Sequence, residues 1–219
     1  MHGPRKSTLI AGLSIFLIGI AGLAWSYWPA PRTSSTLVLS PDQLAQPGGN
    51  GTPAIEGRRI LLDTPAWVRP GETTRITLSI IPDPPGAARP AVGMNVEAES
   101  WLELDGAAFS PDGVTSTALL AGRTSQVVWQ VVPAVTNEVK GRAWLSFRFL
   151  PAGGAGDARR TMSAQPVAIR VISILGLPEG EMRALSGLFC VIGLALAAFS
   201  FRRRRKKNSR RQASRATSK

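Results

Sequence analysis

The residues able to do chemistry gather in one short stretch. Glu97, Glu99, Glu103 and Asp105 share one parity, so an unbroken strand would project all four from one face, with Trp101 among them. Carboxylates placed in this way have three uses. Oxygen ligands suit calcium, and a carboxylate pair suits glycoside cleavage. An acidic row on an outward sheet face also suits pairing with cations on another strand, here Arg142 and Arg148. The last is what a solvated sheet face ordinarily carries. Trp144 lies between those two arginines at the same parity, and an aromatic flanked by arginine is the composition of protein-binding hot spots. Trp144, Arg142, Arg148, Glu97, Glu99, Glu103 and Asp105 are therefore the candidate partner contacts. The alternative for Trp144 is cover by a loop, a linker or a membrane surface.

Elsewhere the chemistry is sparse. The one histidine is His2 and the one cysteine is Cys190, so the central region has no His or Cys set for zinc, haem or copper and no imidazole base. No nucleotide-binding glycine loop and no HExxH sequence occurs. The expectation is a protein with no catalytic, cofactor-binding or metal residues. An enzyme acting through the acidic stripe is the rival, and it requires those carboxylates to line a concave pocket.

Charge is distributed unevenly along the 219 residues, which carry 26 Lys and Arg against 14 Asp and Glu for a net +12. Arg5 and Lys6 supply two of that excess and residues 202–219 supply ten, leaving the middle neutral. A nucleic-acid-binding domain would hold its charge on a folded face, so no nucleic-acid partner is expected. A single cysteine also rules out an internal disulfide.

Two apolar runs set the frame that must hold the acidic stripe. Residues 8–28 carry no charged side chain, and about 20 residues at 1.5 Å rise cross a hydrocarbon core of roughly 30 Å. Trp25, Tyr27 and Trp28 gather at the far end, where amphipathic rings favour the headgroup layer, before Pro29 and Pro31 stop the helix. A cleaved signal peptide is the competing reading, with Arg5 and Lys6 as its charged start and Gly22-Leu23-Ala24 as its cleavage site. The second run, residues 182–201, ends at Arg202, Arg203, Arg204, Arg205, Lys206 and Lys207. The positive-inside rule places those six cations, with Arg5 and Lys6, in the cytoplasm, so two spans leave the middle of the chain outside. Gly12, Gly19 and Ser26 recur at heptad spacing, and Cys190, Gly193, Ala197 and Ser200 follow helical steps. Such stripes let helix backbones approach closely, although glycine and alanine are also simply common in membrane helices.

Residues 29–57 are dense in Pro, Gly, Ser and Thr and read as a flexible linker, with a glycosylation sequon at Asn50-Gly51-Thr52 that would matter only in a eukaryotic secretory pathway. Residues 58–176 alternate β-type runs with turn signals, placing strands near 59–62, 73–81, 94–104, 125–132, 142–149 and 167–174. Ala143, Leu145, Phe147 and Phe149 share one parity and should face a core with Ile76, Leu78, Ile80, Val127, Trp129, Val131, Ile169 and Val171. Residues 202–219 have almost no apolar side chains and read as a disordered cytoplasmic tail attracted to anionic headgroups.

Three stretches carry a likeness to known proteins. Val68-Arg69-Pro70-Gly71-Glu72-Thr73 leads into Ile76-Thr77-Leu78, Ala121-Gly122-Arg123 leads into residues 127–133, and Gly141 leads into the strand of Trp144. In these the sequence resembles the bacterial immunoglobulin-like domains of the class that includes cell-adhesion-related modules. The resemblance covers just over half the chain, implies a fold and a binding or spacing role, and transfers no catalytic residue. Leu177-Pro178-Glu179-Gly180, followed by an apolar helix and an arginine cluster, also looks like the sorting signals of bacterial surface proteins. It departs from the sortase type in lacking Thr before Gly, and from the PEP type in lacking a second Pro.

The expected architecture is mainly β, an immunoglobulin-like antiparallel β-sandwich flanked by two transmembrane α-helices. The expected role is a non-enzymatic, membrane-anchored extracytoplasmic interaction or scaffold module. Its partners would be anionic lipid headgroups and other membrane or envelope proteins, with no cofactor. The alternatives are a surface protein with a cleaved signal peptide and a C-terminal anchor, or an envelope enzyme using the acidic stripe.

Overall fold

A computed structural model describes residues 4–37, 58–82, 94–120, 122–134, 137–151 and 158–216. The chain divides into two compact units, one of Met1–Pro29 with Leu177–Lys219 and the other of Ala30–Gly176. The sequon at 50–52 and the Pro- and Gly-rich stretches at 83–86 and 152–154, which the sequence marks as turns, lie outside the described residues.

The first unit is two helices, α1 (Pro4–Tyr27) and α2 (Glu179–Ala216). Proline sits comfortably at the start of α1, where no intrahelical donor is needed. At its far end Trp28 N–H donates to the Trp25 carbonyl at 3.2 Å, and the chain leaves through Pro29. Helix α2 opens after Pro178, whose carbonyl accepts from Met182 N–H at 3.0 Å, and Glu179 and Glu181 occupy its first turn, where negative charge meets the positive end of the helix dipole. Leu9–Tyr27 and Glu179–Arg202 are each long and apolar enough to cross a membrane. Residues 202–216 continue α2 instead of forming the expected disordered tail. Arg, Lys, Gln and Ala are good helix formers, and no Gly or Pro interrupts them here.

The second unit is two five-stranded sheets. One has the order β1 (Arg32–Leu37), β2 (Arg58–Pro65), β4 (Thr74–Pro82), β8 (Ser125–Pro133), β6 (Ala107–Ser110). The other has the order β3 (Trp67–Val68), β10 (Ala158–Val171), β9 (Glu138–Pro151), β5 (Met94–Asp105), β7 (Thr115–Ala118). Neighbours are antiparallel except β3, which runs parallel to β10. Alternate residues of each strand bury inward: Ile60 and Leu62, Ile76, Leu78 and Ile80, Val127, Trp129 and Val131 from the first sheet meet Val96, Ala98, Leu145, Phe147 and Ile169 from the second. Every core residue expected from parity is buried. Trp129 is fully enclosed, with its Nε1 donor lacking a hydrogen-bond partner among the described residues.

Short turns join the strands where the sequence demands them. Arg69-Pro70-Gly71-Glu72 closes with Glu72 N–H donating to the Arg69 carbonyl at 3.1 Å and Gly71 at a φ of 74°, the combination of a type II turn with Pro second and Gly third. The short strands β3, β6 and β7 stand outside the six expected, β9 begins at Glu138, ahead of 142, and two boundaries differ more widely. The linker of 29–57 does not begin at Pro29, because Arg32–Leu37 forms β1 along the edge of the first sheet and pairs with β2 from Arg32↔Pro65 to Leu37↔Ile60. Strand β10 begins at Ala158, well before 167, and ends at Val171.

Candidate functional site

Strand β5 runs unbroken, so Glu97, Glu99, Trp101, Glu103 and Asp105 do share the outward side of the second sheet. Its register with β9 sets Glu97 against Arg148, Glu99 against Ser146, Trp101 against Trp144, Glu103 against Arg142 and Asp105 against Lys140. All seven candidate contacts therefore fall on two adjacent strands, but they do not behave as one acidic row.

Trp101 and Trp144 stack with ring centroids 5.6 Å apart and planes 6° from parallel. Both indole N–H groups donate to one carboxylate: Trp144 Nε1 to Glu103 Oε2 at 2.8 Å and Trp101 Nε1 to Glu103 Oε1 at 3.3 Å. Trp144 is thus half-buried against another tryptophan instead of standing alone among arginines. Glu103 is occupied by the indoles, and Arg142 across from it is exposed with no hydrogen-bond or ion-pair partner among the described residues. Glu97 pairs with Arg148 at 3.8 Å, as cross-strand charges should.

Glu99 departs from a solvated face. It is 4% exposed, and the edge strand β7 pairs beside it with Ser116 directly across. Its carboxylate accepts from Arg159 Nε at 2.5 Å and from Ser146 Oγ at 3.5 Å. Parity gives the face of a side chain but not what overlies it, which is why Arg159 escaped the sequence reading. Asp105 is exposed, and the cation facing it turns elsewhere: Lys140 pairs with Glu138 at 2.8 Å, and that carboxylate holds the ammonium above its ordinary pKa. Among the described residues no cluster of His, Cys, Asp and Glu is arranged to hold a metal ion.

In the helical unit the small residues do meet. Ser26 is buried, and a Cβ placed on Gly12 would lie 3.0 Å from Leu196 Cβ and 3.1 Å from Ala197 N. On Gly19 it would lie 2.7 Å from Cys190 Sγ and 2.8 Å from Cys190 N, and on Gly193 2.6 Å from Phe16 N. Six of the seven residues picked out by spacing, Gly12, Gly19, Ser26, Cys190, Gly193 and Ala197, are in the α1 and α2 seam, joined by Gly22 and Ser186 on the same helical steps, while Ser200 Oγ donates within α2 to the Leu196 carbonyl at 2.9 Å. Ser26 Oγ donates to the Gly22 carbonyl at 2.9 Å. Arg183 closes the end of the seam, paired with Glu179, 3.5 Å from the Ser26 carbonyl and 4.6 Å above the Tyr27 ring. Outside the seam the large apolar side chains Leu13, Leu17, Leu188, Val191 and Leu194 are exposed. Arg5 and Lys6 fall in α1, and Arg202 to Lys207 in α2, with the side chains of all but the exposed Arg202 outside the described residues.

No known protein family matches the sequence, and no curated protein matches it. Solved structures similar to parts of it include the following two. The ASH/PapD-like domain of human CEP192 (PapD-like domain 7) shares 12% identity over 63% of this chain and 99% of that one, with a TM-score of 0.35. AvmM, described as catalysing macrocyclization in alchivemycin A biosynthesis, shares 11% identity over 54% of this chain and 94% of its own, with a TM-score of 0.27. Likeness at these scores carries no argument about activity, and the β unit is defined by its own strand order.

Proposed function

We propose that this chain is a non-enzymatic, two-span membrane protein that displays an immunoglobulin-type sandwich outside the cytoplasmic membrane as a docking module for other envelope proteins. One observation carries the reading: α1 and α2 bury Gly12, Gly19, Gly22, Ser26, Ser186 and Gly193 against each other while Leu13, Leu17, Leu188, Val191 and Leu194 stay exposed. In water that arrangement is inverted, and in lipid it is the usual one, because the solvent there is as apolar as leucine. The cations at both helix ends support cytoplasmic termini by the positive-inside rule.

Strand order supports the immunoglobulin type. The order β2-β4-β8-β6 corresponds to the A-B-E-D sheet of such domains, and β10-β9-β5 to G-F-C, with β3 the short parallel companion of the last strand. The departure is β7, which follows β6 in the chain yet returns to the other sheet. On the G-F-C side, the Trp101 and Trp144 stack beside Arg142, which has no partner among the described residues, is the surface offered to a partner. Three of the four carboxylates of β5, Glu97, Glu99 and Glu103, are engaged by Arg148, Arg159 and two indoles, which favours a structural over a catalytic use of them.

Topology is tested by single cysteines in a Cys190→Ser background, probed with a membrane-impermeant maleimide on intact cells. Val128→Cys, on the sandwich surface, should react at once, and Ser214→Cys only after permeabilisation. Equal reaction of both on intact cells, or release of the protein by alkaline carbonate, would remove the two-span reading. The docking role is then read from mild-detergent co-purification, where Trp144→Ala should lose chains that the parent retains.

A further inference from the structure

The sandwich ends in a short apolar loop. Ile172 N–H still donates to the Val68 carbonyl at 2.9 Å, and beyond it Ile174 and Leu175 stand clear of the core, with Leu175 79% exposed. Leu175 has a φ of 60°, the one positive value at a non-glycine position among the described residues, and Gly176 follows at 71°. An exposed leucine held in the left-handed region is disfavoured twice, by its Cβ and by water around its side chain.

Chain length limits what can cover it. Leu175 stands four residues before Glu179, the first residue of α2, and four extended residues span at most about 14 Å. The headgroup layer on one side of a bilayer is itself roughly 5–7 Å deep, and interfacial apolar segments seat about 5–10 Å into it. A loop tethered that closely to a membrane helix can reach the lipid boundary without any rearrangement of the sandwich. Tyr27 and Trp28, at the end of α1, are likewise exposed and of the type that favours that layer.

We infer that Ile174 and Leu175 form an apolar peg seated at the headgroup and acyl boundary of the bilayer that α2 crosses, so that the partner of this loop is the lipid surface. The inference rests on the membrane reading above. The left-handed turn at Leu175 and Gly176 reverses the chain locally and presents the leucine at the tip.

The test uses full-length protein with Cys190→Ser, labelled at Leu175→Cys or at Leu188→Cys with an environment-sensitive fluorophore. The host is phosphatidylcholine and phosphatidylglycerol vesicles carrying nitroxides at headgroup or mid-chain depth. The label at 175 should lose about half its emission to the headgroup nitroxide and be shielded from aqueous iodide, while the label at 188 answers to the mid-chain nitroxide. A normal response at 188 with a label at 175 quenched only by iodide would overturn the peg and leave the span standing. No response to any lipid nitroxide at either site would overturn both. Leu175→Asn supplies a second arm, since asparagine accepts the left-handed backbone without an apolar side chain. With it, a label at Ile174→Cys should shift about twofold from lipid toward iodide quenching, and unchanged quenching there would show that the tether alone sets the depth.

Discussion

Inside the β unit the side chains withdrawn from solvent are large, with Trp129, Phe147, Ile76 and Ile169 fully enclosed; between α1 and α2 they are the smallest available, Gly12, Gly19, Gly22 and Ser26 against Ser186 and Gly193. Leucine changes sides accordingly: Leu62 and Leu78 are inside, Leu13 and Leu188 outside. The β interior gains from removing apolar area from water, at about 25 cal/mol per Å². The helix seam gains from close backbone approach and dispersion, and has no such area to remove. A residue's preference is thus a statement about its solvent, and on the membrane reading proposed above this chain meets two.

Four substitutions would break or sharpen that contrast. Trp129→Ala should cost the sandwich about 3–5 kcal/mol, read from denaturant unfolding followed by near-UV circular dichroism. A cost under 1 kcal/mol would mean the core collapses around the gap and is not tightly packed. Gly19→Val should weaken the helix pair by about 2 kcal/mol, because its Cβ meets Cys190 N, which is backbone and has no rotamer to change. Resonance energy transfer between labelled helix ends in detergent would report it, and undiminished transfer would deny the seam its role. Glu103→Gln leaves one acceptor for two indole donors and should cost about 1 kcal/mol, with a shift in tryptophan emission. An unmoved spectrum would show the stack to be independent of Glu103. Leu188→Ala should change the helix pair by less than about 0.5 kcal/mol in detergent, although an equivalent truncation at Leu78 would be costly. A large loss at 188 would place a further protein surface there.

Much of this was legible because periodicity and burial coincide. The strand of Phe147 alternates cleanly, and the core followed from parity alone. The seam was legible because glycine spacing survives in a helix without help from neighbours. What escaped depended on neighbours. Strand β1, Arg-Thr-Ser-Ser-Thr-Leu, has no apolar alternation, and its conformation comes from pairing with β2 at an exposed edge, where Arg32 pairs with Asp63. The early half of β10 was hidden by Pro166, which removes a ladder donor. It is tolerated because β3 pairs only with Arg170 and Val171, so β10 is an edge on that side at residue 166. The burial of Glu99 needed β7 and Arg159, both distant in sequence.

Helix α2 is longer than a bilayer requires. Past Arg202, where its apolar window ends, residues 203–216 add about 21 Å of rise, more than twice the screening length of roughly 8 Å at physiological salt. On the two-span reading proposed above, a straight helix on the membrane normal would act as a mast, with the backbone of residues 203–207 within that screening length of the lipid and the backbone of residues 210–215 carried beyond it.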